Sequence, residues 1–413
     1  MADAPDEHLI ATQAGLDALV DELCAAGRFA FDTEFVSEET FEPVLGLIQV
    51  ATRDRLAAVD PLAIPDFARF WALINDPGVE VVMHAASEDL RICRFQAGTV
   101  PRRVYDVQIA AGLVGFGYPL SLGNLVSQAL RISLPGGETR TDWRRRPLTP
   151  AQVRYALDDV RHLLDLADLI AAQLAHRGRT DWAEEEFAQF AAAIQNRFEE
   201  DRWRRLPGLY QLNRRGLEVA RRLAAWRYEE ARRTNRPLRQ LMRDDLLVAI
   251  ARRQPTSRRD LEALRDFHRP HLLSRGTEIL AVIAEARRVP EDQLPEPPDR
   301  HEDGPGLIMV VNLLAATMAR CCAQHKVACG LVGSSQEIKQ LIRWHTQGVP
   351  EPHRPVLAKG WRRQVCGETL LDVLSGRRAL RIVDPLADIP VALEPLAGEC
   401  QDSIERDGGE SPD

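Results

Sequence analysis

The chain has 413 residues, 45% hydrophobic and 28% charged, with 26 Gly and 26 Pro. That is the profile of a globular chain of two or three domains, and it excludes disordered, collagenous and disulfide-stapled classes. The formal net charge of −8 hides a segregation: residues 201 to 290 hold 22 Arg, no Lys and 11 acidic residues, a basic block of the kind that marks nucleic-acid contact.

The seven cysteines are scattered and form no C-x-x-C pair; they point to reduced thiols in a cytoplasmic protein, against a zinc knuckle or a disulfide framework. The first residues have neither the basic region nor the apolar core of a secretory signal. Val107 to Leu130 is uncharged but broken by Gly, Pro, Asn and Gln, and the apolar run Leu307 to Ala319 is short, so no membrane contact is expected.

Taken in chain order, Arg28 to Phe35, Val44 to Ala51 and Arg55 to Asp60 alternate β-type runs with turn signals, which predicts three strands in meander order. A helix over Ile64 to Asn75 follows, then a strand at Glu80 to His84, a helix opening near Ser87, and a fifth strand at Val104 to Val107. This succession predicts an α/β domain, a mixed sheet with helices on its faces. Thr149-Pro150-Ala151-Gln152 reads as a capping box that opens a further helix reaching about Ala175. Residues 184 to 288 contain no strand run and read as helical throughout. Val289 to Gly306, with five prolines, reads as a linker, and helices over Leu307 to Gln324, Ser335 to Thr346 and Gly367 to Leu374 predict a small third domain. The expected limits are 1–190 for the α/β domain, 191–290 for the basic helical domain, 291–306 for the Pro-rich acidic linker, 307–396 for the third domain and 397–413 for a disordered tail.

The residue types that carry chemistry are acids. Asp32 and Glu34 are i and i+2 on a strand and share a face; such neighbours repel unless they point into water or share a hard cation. Asp89 follows a buried strand in the first turn of the next helix, where sites assemble in α/β sheets and the helix dipole favours an ionised acid. Tyr155 and Asp159 are i and i+4 on the capped helix, hence on one face. For each pair alone, a solvated edge or a packed side chain is an equally simple explanation.

Together, Phe31-Asp32-Thr33-Glu34-Phe35, then His84 to Leu90, then Tyr155 to Asp159 resemble in order and spacing the three exonuclease motifs of the DEDD superfamily, tyrosine subclass. The stretch Thr139 to Leu164, the Arg-rich block and the Gly360 to Gly367 segment resemble the ribonuclease D family with its helicase-and-RNase-D C-terminal (HRDC) domain. The resemblance implies a ribonuclease H-like α/β domain followed by two small all-helical domains. It also implies 3′-to-5′ hydrolysis of RNA ends to 5′-mononucleotides, with transfer RNA precursors as the expected substrate. Asp32, Glu34, Asp89 and Asp159 would hold two Mg²⁺ ions, with Mn²⁺ as a substitute, about 3.5 to 4 Å apart. Tyr155 would orient the attacking water, because an unperturbed phenol with a pKa near 10 is a poor base.

Among substrate contacts, Phe35 would stack on the terminal base or else face the core, and Gln49 lies on the adjacent strand near the sheet end. Arg140 and Arg144 to Arg146 flank Trp143 and would grip phosphates, while Trp143 would pack the loop or touch RNA. Arg232, Arg233, Arg236 and Arg239 are candidate phosphate contacts or else solvated helix-face charges. His84 and Asp106 read as structural. At Gly136 the chain lacks a lysine that relatives commonly carry. A DNA-directed 3′-5′ exonuclease would use the same metal chemistry, and a non-catalytic RNA-binding scaffold is the reading from another class; the intact acids argue against the scaffold. The oligomeric state is not legible in the sequence.

Overall fold

The computed structural model describes residues 9–135, 141–196, 202–297, 304–347 and 354–396. Arg140, Gly136, part of the linker and the tail beyond residue 396 lie outside them. By internal contacts the chain divides into two compact units. The first comprises residues 1–110, 121–175 and 183–302, the second 111–120, 176–182 and 303–413. The α/β and basic helical regions share one unit, and two short pieces from the N-terminal half belong to the other.

The first unit is built on a six-stranded mixed sheet. Its strands are β1 (Leu9–Ile10), β2 (Arg28–Val36), β3 (Val44–Ala51), β4 (Leu56–Val59), β5 (Glu80–Met83) and β6 (Val104–Asp106). Their spatial order is β1-β4-β3-β2-β5-β6; β2, β3 and β4 pair antiparallel as the meander predicts, while β5 and β6 add parallel to β2. β1 was not expected, since a two-residue strand carries no readable period.

The helices that follow in chain order are α1 (Gln13–Ala26), α2 (Ala68–Ile74), α3 (Ser87–Ala97), α4 (Val107–Val114), α5 (Leu122–Leu130), α6 (Pro150–Arg161), α7 (Leu163–His176), α8 (Thr180–Asn196) and α9 (Arg214–Thr234). One face of the sheet, with Phe29, Phe31, Ile48, Val50 and Val81, packs under Leu16, Leu19, Phe70 and Leu90 from α1, α2 and α3. The other face, with Leu47 and Ala58, is covered by Val153, Ala156 and Leu157 of α6 together with Trp143. The predicted capping box opens α6: Thr149 Oγ1 accepts from the Gln152 amide at 3.2 Å and Gln152 Oε1 accepts from the Thr149 amide at 2.8 Å. Residues 202–288 are helical as expected, around a core of their own that includes Leu217, Leu247, Phe267 and Ile283.

The second unit is helical through Leu374 and then adds a hairpin of Arg378–Ile382 and Val391–Pro395. No strand is expected there from the sequence, because both runs are short, partly charged and exposed at several positions. Its first helix, Pro305–His325, is longer than the apolar run suggested. At 21 residues with a mean hydropathy of 1.7 over its most apolar window, it is long and apolar enough to cross a membrane, and 33% of that window is buried within the protein. Arg179, itself buried, donates to the carbonyls of Leu113 and His325 at 2.6 Å each. Trp182 stacks on Trp361 with ring centroids 5.5 Å apart.

Candidate active site

Strand β2 alternates: Phe29 and Phe31 enter the core while Asp32 and Glu34 point toward α6. Helix α6 lies across β2, β3 and β4, so its Asp159 meets the two strand acids. Carboxylate oxygens of Asp32, Glu34 and Asp159 lie within 4.8 Å of one another. Three carboxylates this close are unfavourable without a counter-charge. Burial, then the charges of Asp159 and Asp89, push Glu34 up to about 8. Burial, then neighbouring Asp158, pushes Asp159 up to about 7. Asp32 is held well above the carboxylate range by burial and by Asp89, Asp159 and Glu34. A hard divalent cation relieves that repulsion with the oxygen ligands it prefers, so the donor set fits one.

Asp89 does not join this trio. It is buried in the first turn of α3, and Thr33, on the opposite face of β2 from Asp32, donates its hydroxyl to Asp89 Oδ1 at 2.5 Å. Burial raises Asp89 to about 6 despite that bond. The expected four-acid set is therefore three gathered carboxylates, with a fourth close enough for its charge to raise both Asp32 and Glu34. The turn that delivers Asp89 is braced by Asp106, whose carboxylate accepts from the amides of Ala85, Ala86, Gln108 and Ile109. This matches the structural role expected of Asp106, and it supports Ala85 in the left-handed region at φ 54. His84 is half-buried beside Asp106.

Tyr155 hydrogen-bonds Asp159 one turn along α6. Burial and the surrounding acids raise its phenol far above the ordinary value. In the metal-free protein its hydroxyl keeps its proton and donates it in the bond to Asp159.

Several expected substrate contacts are elsewhere. Trp143 is buried and stacks on Tyr155 with centroids 6.4 Å apart; it packs and does not face an incoming strand. A Cβ on Gly46 would lie 2.7 Å from the Trp143 Cβ, so only glycine lets the loop settle there. Arg146 grips no phosphate: its guanidinium clasps Asp60 at 2.6 Å and donates to the carbonyls of Gly46 and Trp143. Arg144 pairs with Asp142 and Glu39. Phe35 packs against the sheet core. Gln49 sits opposite Asp32 in the β2–β3 register, fully buried, with neither amide atom hydrogen-bonded among the described residues.

Part of the basic block is tied to acids. Arg221 and Arg222 bind Glu218, Arg233 and Arg275 bind Glu230, and Arg227 binds Asp244. Arg232 and Arg239 are exposed, have no ion pair among the described residues, and line a cleft of about 1190 Å³. Arg204, Arg205, Phe41, Arg94 and Tyr228 share that lining. Arg233 is therefore tied, and Arg236 is exposed outside the lining. Sequence reasoning missed Thr33 and the Arg146–Asp60 clasp. The clasp joins residues 86 apart in the chain and has no local signal.

A family described as 3′-5′ exonuclease matches residues 8–175, the HRDC domain matches 216–283, and the family "Ribonuclease D, C-terminal HRDC domain" matches 305–370. The chain is 36% identical to Gluconacetobacter diazotrophicus ribonuclease D over 92% of this chain and 95% of that protein. It is 32% identical to Escherichia coli ribonuclease D over 89% and 98%. The crystal structure of Escherichia coli RNase D, described as an exoribonuclease involved in structured RNA processing, superposes with a TM-score of 0.78 at 31% identity, covering 89% of this chain and 98% of that one.

Proposed function

Because the chain belongs to the ribonuclease D family and is a 3′-5′ exoribonuclease of that type, we propose that it trims the 3′ ends of transfer RNA precursors in the cytoplasm, using two Mg²⁺ ions. The observation that carries the metal reading is the trio Asp32, Glu34 and Asp159, with oxygens within 4.8 Å and ordinary acidity suppressed. When bound, a pair of divalent ions supplies a nucleophile at neutral pH and neutralises the phosphate and the departing oxygen.

The chain's own residues do the rest. Asp32, Glu34 and Asp159 would hold the ions in their ionised form, with the charge of Asp89 close by. Tyr155, protonated across neutral pH, orients the attacking water by hydrogen bonding and does not remove its proton. Arg232 and Arg239 hold the RNA backbone by charge, independent of base sequence. A cytoplasmic site agrees with the free thiols at Cys93, Cys321, Cys322 and Cys366.

The test is a time course on a 3′-extended transfer RNA precursor, with a DNA oligomer of the same 3′ sequence alongside, with and without Mg²⁺. Shortening from the 3′ end to 5′-mononucleotides, on RNA and only with metal, is the expected result. Shortening of the DNA at the same rate would remove the RNA preference, since the 2′-hydroxyl is the main difference sensed.

A further inference from the structure

The loop joining β2 to β3, residues 37–43, leaves the strand that carries Asp32 and Glu34 and runs to the helical region. Its anchor there is Asn235, which ends α9 in the left-handed region at φ 46 and ψ 48. The Asn235 side-chain oxygen accepts from two successive loop amides, Phe41 at 3.0 Å and Glu42 at 3.2 Å. The ring of Phe41 then meets Tyr228 edge-on with centroids 5.0 Å apart, and Phe95 of α3 at 6.5 Å. Tyr228, Arg232 and Asn235 are spaced i, i+4, i+7, so one stripe of α9 presents an aromatic wall, an exposed cation and the clamp. At its other end the loop is tied by Glu39 to Arg144 at 2.7 Å. Phe41 and Glu42 line the arginine cleft together with Arg204, Arg205, Arg232 and Arg239.

We propose that Asn235 is a positioning residue for RNA: by pinning Phe41 and Glu42 it fixes one wall of the cleft, and so preforms a track for single-stranded RNA continuous with the catalytic strand. The inference rests on the exoribonuclease reading for the identity of the ligand. Its physical basis is that a wall already ordered before binding spares the entropy of ordering it on binding. The cleft cations supply attraction without base preference, and the clamped loop supplies the shape.

The variants follow from the backbone. Asn235→Gly keeps the left-handed conformation without strain while deleting the acceptor, and Asn235→Asp keeps an acceptor in place. The first readout is independent of catalysis: digestion by a glutamate-specific protease, which can cut the loop after Glu38 or Glu39. Asn235→Gly should be cut there about fivefold faster, the worth of roughly one net hydrogen bond, and Asn235→Asp at the wild-type rate. The second readout is kinetic. In Asn235→Gly the KM for a long single-stranded RNA should rise about fivefold with kcat nearly kept, the rise should be smaller for a dinucleotide, and Asn235→Asp should restore it.

Unchanged loop cutting together with unchanged KM in Asn235→Gly would overturn the proposal, as would equal impairment on both substrates that Asn235→Asp does not rescue. Should the wild-type protein leave RNA intact in Mg²⁺, the exoribonuclease reading fails by itself, and the protease result still decides whether the clamp exists.

Discussion

Thr33 reaches Asp89 from the face of β2 opposite to Asp32 and donates its hydroxyl to one carboxylate oxygen at 2.5 Å. Both side chains are buried. The fourth acid of the site is thus occupied from behind, by a neutral donor, while the other three repel one another in front. A cation at the site would have to share Asp89 with a threonine.

Replacing that donor by an isosteric methyl tests the competition. Thr33→Val should lower the stability of the metal-free protein by about 1 to 3 kcal/mol, the usual cost of leaving a buried acceptor unpaired. It should also enlarge the rise in Tm on adding Mg²⁺, because Asp89 no longer has to exchange partners. Thermal melts with chelator and with Mg²⁺ measure both; an unaltered Mg²⁺-dependent rise would separate Asp89 from the metal.

The acid trio makes the metal-free protein pH-sensitive in a defined direction. Folding raises Glu34 from 4.5 to about 8 and Asp159 from 3.8 to about 7, so between those values the folded state binds more protons than the unfolded chain. Stability from these groups is then fully present below their unfolded pKa values and is lost as pH rises through 7 and 8. Metal-free Glu34→Gln should be more stable than wild type by a margin that grows with pH over this window, and saturating Mg²⁺ should shrink the margin. Melts across pH in chelator check it; a margin that narrows with rising pH would contradict the assigned direction.

The arginines divide into paired and unpaired sets. Arg232→Ala with Arg239→Ala should weaken RNA binding and flatten the log–log salt slope by about 0.7 for each phosphate of single-stranded RNA that is no longer neutralised. Arg233→Ala with Arg236→Ala should leave the slope near wild type, since Arg233 is held by Glu230 and Arg236 lies off the cleft. Filter binding over a salt series distinguishes the pairs.

Asp32→Asn and Asp159→Asn should each abolish hydrolysis while RNA binding is retained. Tyr155→Phe should lower kcat by about 10²-fold with little change in KM, the size expected when a reacting group loses its positioning contact. Single-turnover rates and binding on the same RNA check all three, and hydrolysis by Asp32→Asn at the wild-type rate would dismiss the metal reading.

Much of this site was legible because strand and helix periods place Asp32 beside Glu34 and Tyr155 above Asp159, and because Thr149 and Gln152 announce where α6 begins. What the sequence hid was pairing across distance. Arg146 looked like a phosphate grip because nothing local reveals Asp60, and Trp143 looked available because it packs on Gly46, on distant strand β3. The Arg-rich block overstated its free charge for the same reason. Glu218 and Glu230 each take two guanidinium groups, and only the fold shows which cations remain. The bond from Thr33 to Asp89, made from behind the strand, leaves no trace in spacing.

The two short pieces at 111–120 and 176–182 have a consequence for biogenesis. Both leave the ribosome well before residue 303, yet their partners, the His325 carbonyl for Arg179 and the Trp361 ring for Trp182, arrive only with the end of the chain. A premature stop after Glu302 would strand a buried-type arginine and a bare indole on a nascent product whose nuclease acids are already encoded, and such uncovered surface is what chaperones and proteases bind. Quality control therefore has a physical handle for discarding truncated chains before they meet cellular RNA.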